Sequence, residues 1–311
     1  MEEKSIIHAS HTLVAPPVNV TVDVRDLDRS LRRPRTFVSF LLSALTAGLT
    51  LLALVPLFSV LYMLMVRGMH RFGMQIFTSL PPAPLEEGGG FGNAVVGTLI
   101  MVALAALLSV PVGIVAAVFL AEVGVDTKLA TAVRFGAKML SGFPSILAGV
   151  FAFGAVVLLT GKFSALAGGV ALSILMLPTV MLTAEDAIRM VPNKIREAAV
   201  GMGATRTQTI CRVVLPTATP GILTGVMLAV ARAAGETAPL LFTAQFYDYW
   251  PITHGHPDFM QKTASLAVFI YNFAGASDEN QIELAWAAAL VLVVLVLAAN
   301  LIGQSLSRRN A

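Results

Sequence analysis

Charge, cysteine and recognisable catalytic motifs are all scarce in this sequence of 311 residues. Only 13% of the residues are charged and 56% are hydrophobic, a composition far from that of a soluble globular domain. The single cysteine, Cys211, excludes an internal disulfide, and no group of Cys, His and acidic residues has the spacing of a zinc site. Water is therefore not the main solvent of this chain, and no metal or other cofactor is expected.

Motifs of nucleotide-binding and hydrolytic enzymes are missing as well. No G-x-x-x-x-G-K-[ST] run occurs, so the chain lacks the phosphate-binding loop of an ATPase. Ser, His and acidic residues form no plausible hydrolytic set. The N-terminus is polar and lacks a short apolar core with a small-residue cleavage site, so no removable secretory signal is predicted. We expect no catalytic site in this chain.

Six apolar runs are long enough to cross a hydrocarbon core, which takes about 20 helical residues. They predict an all-α membrane protein, and no strand is required anywhere. The six predicted transmembrane helices are residues 37–66, 93–121, 139–160, 165–190, 214–244 and 282–306. Residues 1–36 mix prolines with charges and predict a flexible cytoplasmic arm, while residues 307–311 predict a short cytoplasmic tail.

The orientation follows from the basic residues that flank the predicted spans. Most of them fall on one side, before the first span, in two later loops and after the last span. They are Arg25, Arg29, Arg32, Arg33, Arg35, Lys128, Arg134, Lys138, Lys194, Arg196, Arg206, Arg212, Arg308 and Arg309. The opposite side receives only Arg67, Arg71, Lys162 and Lys262. Because basic loops remain in the cytoplasm, both termini are expected there.

Residues 191–221 are too polar to span and are expected at the cytoplasmic surface. Ala198 and Ala199 favour a short helix, whereas Gly201 and Gly203 suit a sharp bend. Pro216 lacks an amide donor and is expected to end or kink a second helix just before the fifth span. The stretch predicts a compact knob of two short helices at about residues 192–213.

This knob resembles the EAA motif of ABC-importer permeases. The matching residues are Glu197, Ala198, Ala199, Gly203, Leu215 and Pro216, with Val213 in place of the usual Ile. The resemblance implies a type I ABC-importer permease fold, in which the segment is a coupling helix that docks in a groove of a cytoplasmic ATPase. The alternative, a polar surface helix without a partner, does not account for so many matching positions.

Two charges, Arg232 and Glu236, interrupt the apolar fifth span. An Arg at the centre of a membrane helix costs about 2.5–3.5 kcal/mol on insertion scales, so it is expected to face a polar pathway or a partner. Four residues apart, the two side chains share a helical face and can pair, and Thr237 and Pro239 indicate an opened helix. A structural ion pair that only locks helix packing is the alternative. We favour a substrate pathway lined by Arg232, Glu236 and Thr237.

The run from Ala231 to Leu241, with Thr224-Gly225 and the stretch from Ser141 to Ser145, is similar to the phosphate-specific permeases in the form of their PstA subunit. The similarity implies a transport subunit for inorganic phosphate in a bacterial inner membrane. It also implies three partners: a related PstC-like permease that completes a heterodimer, a dimer of a PstB-like cytoplasmic ATPase, and a periplasmic PstS-like phosphate-binding protein. ATP hydrolysis then belongs to the partner ATPase.

The chemistry of phosphate suits the two charged side chains. A guanidinium presents a planar fork of donors that matches two phosphate oxygens, so Arg232 is expected to contact the anion. The Glu236 carboxylate can orient the arginine and accept a proton-bearing phosphate oxygen, which sulfate does not offer. We therefore expect Glu236 to favour phosphate over sulfate.

Two further patterns concern the helix ends. Gly221-x-x-x-Gly225 permits close helix contact, either within this chain or against the second permease. Glu185, Asp186 and Arg189, at the cytoplasmic end of the fourth span, are interpreted as a solvated helix end that lines the inner mouth of the pathway.

The sequence leaves three other functions open: an ABC permease for another oxyanion such as sulfate or molybdate, a secondary carrier that needs no ATPase, and a non-transporting membrane scaffold. The EAA-like segment argues against the carrier, and Arg232 within a span argues against the scaffold. Only the run Gly235-Glu236-Thr237 argues for phosphate over another oxyanion.

Overall fold

The computed structural model describes residues 34–253 and 255–309, most of which are helical. The first helices are α1 Pro34–His70, α2 Gln75–Thr78, α3 Gly92–Val118, α4 Lys128–Ser141, α5 Ser145–Ala152, α6 Leu158–Thr160 and α7 Ala165–Arg189. The later helices are α8 Asn193–Gly201, α9 Arg206–Thr209, α10 Leu215–Ala234, α11 Ala238–Thr243, α12 Leu266–Ala274 and α13 Glu279–Arg309. The predicted all-α class is confirmed.

Three π turns and one short strand pair complete the regular structure of the described residues. The π turns are Phe119–Val123 after α3, Phe153–Val157 between α5 and α6, and Ile210–Val214 between α9 and α10. The strands β1 Ile252–Thr253 and β2 His256–Pro257 pair antiparallel in a loop. Such a two-residue pair does not form a sheet layer, so the architecture depends on helix packing alone.

The chain falls into two compact units, Met1–Ser59 and Val60–Ala311. In the first, the described residues form the beginning of α1, and their side chains are exposed from residue 37 onward. The predicted arm lies outside the described residues up to position 33, and residues 34–36 belong to α1. At the other end of the chain, α13 continues to Arg309, and residues 307–309 are helical instead of forming a tail.

Five helices of the described chain are long and apolar enough to cross a membrane, and one bent pair of helices makes a possible sixth span. The five are Phe37–His70, Gly92–Val123, Ala165–Arg189, Arg206–Ala234 and Glu279–Ser305. They agree with five of the six predicted spans, apart from their ends. The fifth span begins inside the polar loop, because α9, a π turn and α10 form one continuous helix of 29 residues.

The third predicted span, residues 139–160, is not one helix. The chain breaks after Ser141, and the segments Lys128–Ser141 and Ser145–Thr160 meet at 105°. Pro144 explains the break, because its ring disfavours helical backbone at the preceding residue and its nitrogen has no hydrogen to donate. Of the predicted third span, only residues 145–160 continue into the bundle. Helix α4, which precedes them, runs at 105° to this segment.

The centre of the second unit is formed by α3, α7 and α10. Helices α3 and α7 run in parallel, since Gly113 lies against Val180 and Gly168 lies against Met101. The C-terminal ends of both helices therefore lie at the same end of the bundle, together with α4, α8 and α9; we call this the basic end. Small residues dominate these contacts, as expected where helices must approach without a hydrophobic driving force between them.

The predicted Gly221-x-x-x-Gly225 contact is made within the chain. Gly221 faces Ala187 and Gly225 faces Thr183, so α10 packs antiparallel on α7. A β-carbon at Gly225 would overlap the Thr183 side chain, which leaves no space for a larger residue. The contact therefore fixes the register of α10 along α7.

The loop after α11 folds against the beginning of α3, opposite the basic end. Asn93 donates through Nδ2 to the carbonyl of Tyr247 at 2.8 Å, and the rings of Tyr247 and Tyr249 lie 5.2 Å apart. Asp248 lies between them, and its burial raises the pKa of this carboxyl above the ordinary value. The aromatic residues of this loop thus take part in its own packing.

Helix α12 follows in the same loop and was not predicted. Its residues Leu266, Val268 and Phe269 are fully buried, and the Phe269 ring lies 5.4 Å from that of Phe91. Nine residues are too few to cross a bilayer, so a search for long apolar runs cannot find such a helix. It adds a buried layer against α3 and α13.

The contact between α5 and α11 gives the first testable prediction. A β-carbon at Gly149 would lie 2.6 Å from Cα and 2.9 Å from the carbonyl oxygen of Pro239. Gly149→Ala should therefore force the two helices apart and destabilise the protein by about 1–3 kcal/mol. We expect a lower thermal transition of the detergent-purified complex, measured by size-exclusion chromatography after heating.

The matched control is Gly154→Ala, since no atom of the described part of the chain lies within 4 Å of a β-carbon at that position. This variant should melt with the wild type. Equal transitions for the two alanine variants would contradict the close packing of α5 on α11.

Candidate functional site

The polar segment between α7 and α10 forms the predicted knob. Helix α8 ends in a Schellman motif, in which the Ala204 amide donates to the Ala199 carbonyl at 3.1 Å and the Gly203 amide to Val200 at 2.9 Å. Gly203 has φ +87°, a left-handed conformation that costs an ordinary L-residue about 1–2 kcal/mol. The predicted bend is therefore at Gly203, while Gly201 is the last residue of α8.

Helix α9 begins immediately after this turn. Thr205 accepts a hydrogen bond from the Gln208 amide, and Gln208 Oε1 accepts one from the Thr205 amide at 2.9 Å. This capping box satisfies two amides that would otherwise lack a partner at the start of the helix. The turn and the cap together set the angle between α8 and α9.

The surface of the knob is partly apolar. Met202 and Val200 are 84% and 58% exposed, and Glu197 and Ala198 beside them are also exposed. Ala199 is buried and anchors α8 on the bundle. Exposed apolar side chains at a polar end of a membrane bundle are typical of a surface that meets another protein.

Leu215 and Pro216, the last residues of the EAA-like pattern, lie in the continuous helix. Leu215 is half-buried and Pro216 is exposed. Pro216 was expected to end or kink the second helix; it does not end it, because the helix runs from Arg206 to Ala234. The π turn Ile210–Val214 precedes the proline and widens the backbone just where a proline ring would clash with the preceding turn.

The fifth span breaks where the charged residues lie. Helix α10 ends at Ala234 and α11 begins at Ala238, so Arg232 occupies the last turn of one helix and Glu236 the gap before the next. Arg232 Nε and Glu236 Oε1 lie 3.5 Å apart. This is longer than the 2.7–2.9 Å usual for a charge-assisted hydrogen bond, so the predicted pair forms but is loose.

Arg232 retains hydrogen-bond donors that residues 34–253 and 255–309 do not use. Its side chain is 44% exposed, against 16% for Glu236. Within the described residues no hydrogen-bond acceptor binds its guanidinium, and the hydroxyl of Thr237 also has no partner there. The break therefore presents a guanidinium and a hydroxyl to a space outside the packed core.

The depth of this break follows from the register of α10 on α7. Because Gly221 is level with Ala187 and Gly225 with Thr183, and both helices rise equally per residue, Arg232 is level with about Met176. Met176 lies near the middle of α7. The two charges thus lie about halfway along a membrane span, where an unpaired Arg is costly.

The acidic residues at the C-terminal end of α7, which the sequence analysis interprets as solvated, differ in their burial. Glu185 is buried, and its Oε1 binds Arg134 Nε at 2.7 Å and Arg189 Nη2 at 2.9 Å. The expected solvated helix end is therefore wrong for Glu185, because α4 lies across α7 and brings Arg134 over it. Asp186 is exposed and fits the expectation.

A second ion pair joins Arg196 of α8 to Glu122 after α3, with Nη2 and Oε1 2.8 Å apart. The sequence analysis did not find it, since the two residues are 74 positions apart. An isolated Glu at the C-terminal end of the second span is the only trace of this pair in the sequence. It follows from the way α8 folds back under α3.

Comparison with known proteins identifies the chain's relatives. Residues 109–311 match the family described as "Binding-protein-dependent transport system inner membrane component". The phosphate transport system permease protein PstA of Xylella fastidiosa (strain 9a5c) is 40% identical over 248 residues, 79% of this chain and 84% of that protein. PstA of Yersinia pestis is 35% identical over 92% of this chain and 97% of its own length. The probable PstA of Methanocaldococcus jannaschii is 34% identical over 82% and 88%.

Solved structures support the same fold. A bacterial alginate ABC transporter, solved with its pentasaccharide-bound periplasmic protein, aligns with a TM-score of 0.61 at 19% identity, over 90% of this chain and 98% of that chain. The MetNI methionine ABC transporter in an inward-facing conformation aligns with a TM-score of 0.52 at 20% identity, over 70% and 93%. The chain therefore belongs to the family of inner-membrane components of binding-protein-dependent transport systems and has the multi-pass permease fold of type I ABC importers.

Proposed function

We propose that this chain is the PstA-type permease subunit of an ATP-driven importer and forms half of a translocation pathway for inorganic phosphate. The single observation that carries the proposal is the break in the fifth span, where Arg232 lies exposed in the last turn of α10, level with the middle of α7. The relatives named as phosphate transport permeases support the same substrate. The chain moves an ion and is not an enzyme.

Arg232 is the proposed contact for the anion. Its loose pairing with Glu236 leaves most of its five donors free, and a phosphate can use two of them at once. Its position in the last turn of α10 keeps the positive charge near the negative end of the helix dipole. The helix dipole thus lowers the free-energy cost of a charged Arg232 in the membrane, although its ion pair with Glu236 is loose.

Glu236 and Thr237 shape the same site. Glu236 precedes α11, where the partial positive charge of a helix start favours an anion, so the carboxylate stays close to Arg232. Its negative charge weakens the hold of Arg232 on the anion, and it accepts a hydrogen bond from a protonated phosphate oxygen, a donor that sulfate lacks. The Thr237 hydroxyl offers one further donor to an oxyanion.

The knob is the proposed coupling element. Glu197, Ala198 and Gly203 present an exposed face together with Val200 and Met202, which suits a groove on a cytoplasmic ATPase. Ala199, Leu215 and Pro216 lie on or beside the membrane helix that the knob would move. The chain lacks a nucleotide-binding loop, so the energy must come from such a partner.

The proposed assembly contains three kinds of partner. A related PstC-like permease completes the pathway, a PstB-like ATPase dimer binds the two coupling segments, and a periplasmic PstS-like protein delivers phosphate. The family's dependence on a binding protein supports the last of these. The apolar side chains exposed along the described helices suit contact with lipid and with the second permease.

The first experiment replaces Arg232 by Lys. The charge is retained, but a point charge replaces the planar fork, so we expect phosphate uptake to fall by about tenfold or more while the complex still assembles. Uptake of labelled phosphate should be measured in cells that lack the chromosomal copy. Complex assembly is followed by co-purification with the ATPase.

The double variant Arg232→Gln with Glu236→Gln separates a pathway role from a structural pair. It removes both charges together, so a purely structural pair should be replaced without loss of assembly or uptake. Full phosphate uptake by this double variant would refute the pathway role.

Glu236→Gln alone should lower the selectivity for phosphate over sulfate. The selectivity is measured as the inhibition of labelled phosphate uptake by added sulfate, and an unchanged value would contradict this role of Glu236.

The second experiment concerns the turn at Gly203. None of the described residues lies within 4 Å of a β-carbon there, so Gly203→Val is strained by its φ angle and not by crowding. We expect loss of ATP-driven uptake in a complex that still inserts. Asn adopts the left-handed region more readily, so Gly203→Asn should retain more uptake than Val. Normal uptake and ATPase attachment in the Val variant would contradict the coupling role.

The third experiment tests the orientation, for which we propose that both termini are cytoplasmic. Exposed Cys211 is first replaced by Ser, and single cysteines are then introduced at Ser277 and Thr207, which are both exposed. An impermeant thiol reagent added outside the inner membrane should label Ser277→Cys and spare Thr207→Cys. The reverse pattern would overturn the assignment, which rests on the distribution of basic residues.

A further inference from the structure

Three arginines from three separate elements converge on the last turn of the second span. Arg134 of α4 donates through Nη2 to the Leu120 carbonyl at 2.7 Å. Arg196 of α8 donates through Nη2 and Nε to Glu122 Oε1 at 2.8 and 3.1 Å. Arg206, the first residue of α9, donates to the backbone carbonyl of Glu122. The π turn Phe119–Val123 is therefore the point where α4, α8 and α9 are all attached to α3.

This turn is electrostatically suited to hold arginines. The last carbonyls of a helix lack donors within the helix and carry the negative end of its dipole. Glu122 adds a full negative charge at the same place. Because the side chains of Arg196 and Glu122 are only 20% and 14% exposed, water screens this pair less than an ordinary surface pair.

The same Arg196 guanidinium also binds the end of α7. It donates to the Ile188 carbonyl at 2.9 Å and to the Val191 carbonyl. One side chain of α8 thus joins the ends of both α3 and α7. Since these two helices pack in parallel, a displacement of α8 reaches them together.

The coupling segment has a second, covalent connection to the membrane. The helix Arg206–Ala234 leads directly from the knob to Arg232. The turn at Gly203 separates this helix from α8. The knob is therefore connected to α10 through the backbone, and to α3 and α7 through the hydrogen bonds of Arg196. Both connections include Glu122, which binds Arg196 through its carboxylate and Arg206 through its carbonyl.

We propose that Arg196 and Glu122 are positioning residues for transport, which link the coupling segment to the second and fourth spans so that these spans move when the ATPase closes. The proposal rests on the coupling role proposed above. It differs from a static ion pair in its consequence: without the link the ATPase still docks and hydrolyses ATP, but less of its motion reaches α3 and α7. The loss appears in the number of phosphate ions moved per ATP.

The test measures phosphate uptake and ATP hydrolysis in vesicles that contain the whole importer, per assembled complex. Glu122→Gln and Arg196→Gln should keep ATPase attachment and most hydrolysis, while phosphate moved per ATP falls by about fivefold or more. Arg196→Lys keeps the charge but reaches fewer acceptors, so its ratio should lie between those of the wild type and the Gln variant. The control is Lys138→Gln, an exposed residue of α4 at the same end without an ion pair in the described structure, and its ratio should equal the wild type's.

Two outcomes would overturn the proposal. One is a wild-type ratio of phosphate to ATP in the Gln variants, which would make the pair a structural contact only. The other is a failure of even Arg196→Lys to assemble, which would make the pair a requirement for folding. If the wild-type importer shows no ATP-driven phosphate uptake at all, the proposed function itself fails, and this result is distinct from both.

Discussion

A helix that crosses hydrocarbon must satisfy its own backbone hydrogen bonds, and each departure from that rule has to be covered by protein or by a polar cavity. In this chain the departures are the breaks at residues 142–144 and 235–237. Helices α5 and α11, which follow the two breaks, pack on each other at Gly149 and Pro239. The two stretches of irregular backbone are thus followed by helices that share one contact within the second unit.

The same constraint explains the choice of small residues. Between membrane helices there is little gain from excluding water, so stability comes from close approach and dispersion. Gly113, Gly168, Gly221 and Gly225 all lie against a neighbouring helix. They set the registers of α3 and α10 on α7, and those registers place Arg232 at mid-depth and Glu122 beside Arg196. The depths of the residues proposed to act in transport thus depend on where a glycine allows two helix backbones to meet.

Much of the fold was predictable from the sequence because the length of an apolar run is a local property. Five spans, the bend at Gly203 and the pairing of Arg232 with Glu236 all follow from residues within a few positions of each other. The errors have a common physical origin. Pro144 breaks its span while Pro216 does not, because a π turn before Pro216 accommodates the ring, and such a turn leaves no clear sequence signal. Glu185 looked solvated because its partner Arg134 lies 51 residues away.

The continuous helix that begins at the knob has a mechanical consequence. From Arg206 to Arg232 it rises about 39 Å, and no non-helical residue interrupts it. A rod of this length that pivots near the knob by about 10° displaces its far end by about 7 Å, more than the width of a phosphate ion. A small rotation of this helix at the basic end would thereby become a large lateral displacement of the Arg232 guanidinium at its other end. The leverage comes from the length of the helix alone, without any change in its internal hydrogen bonds.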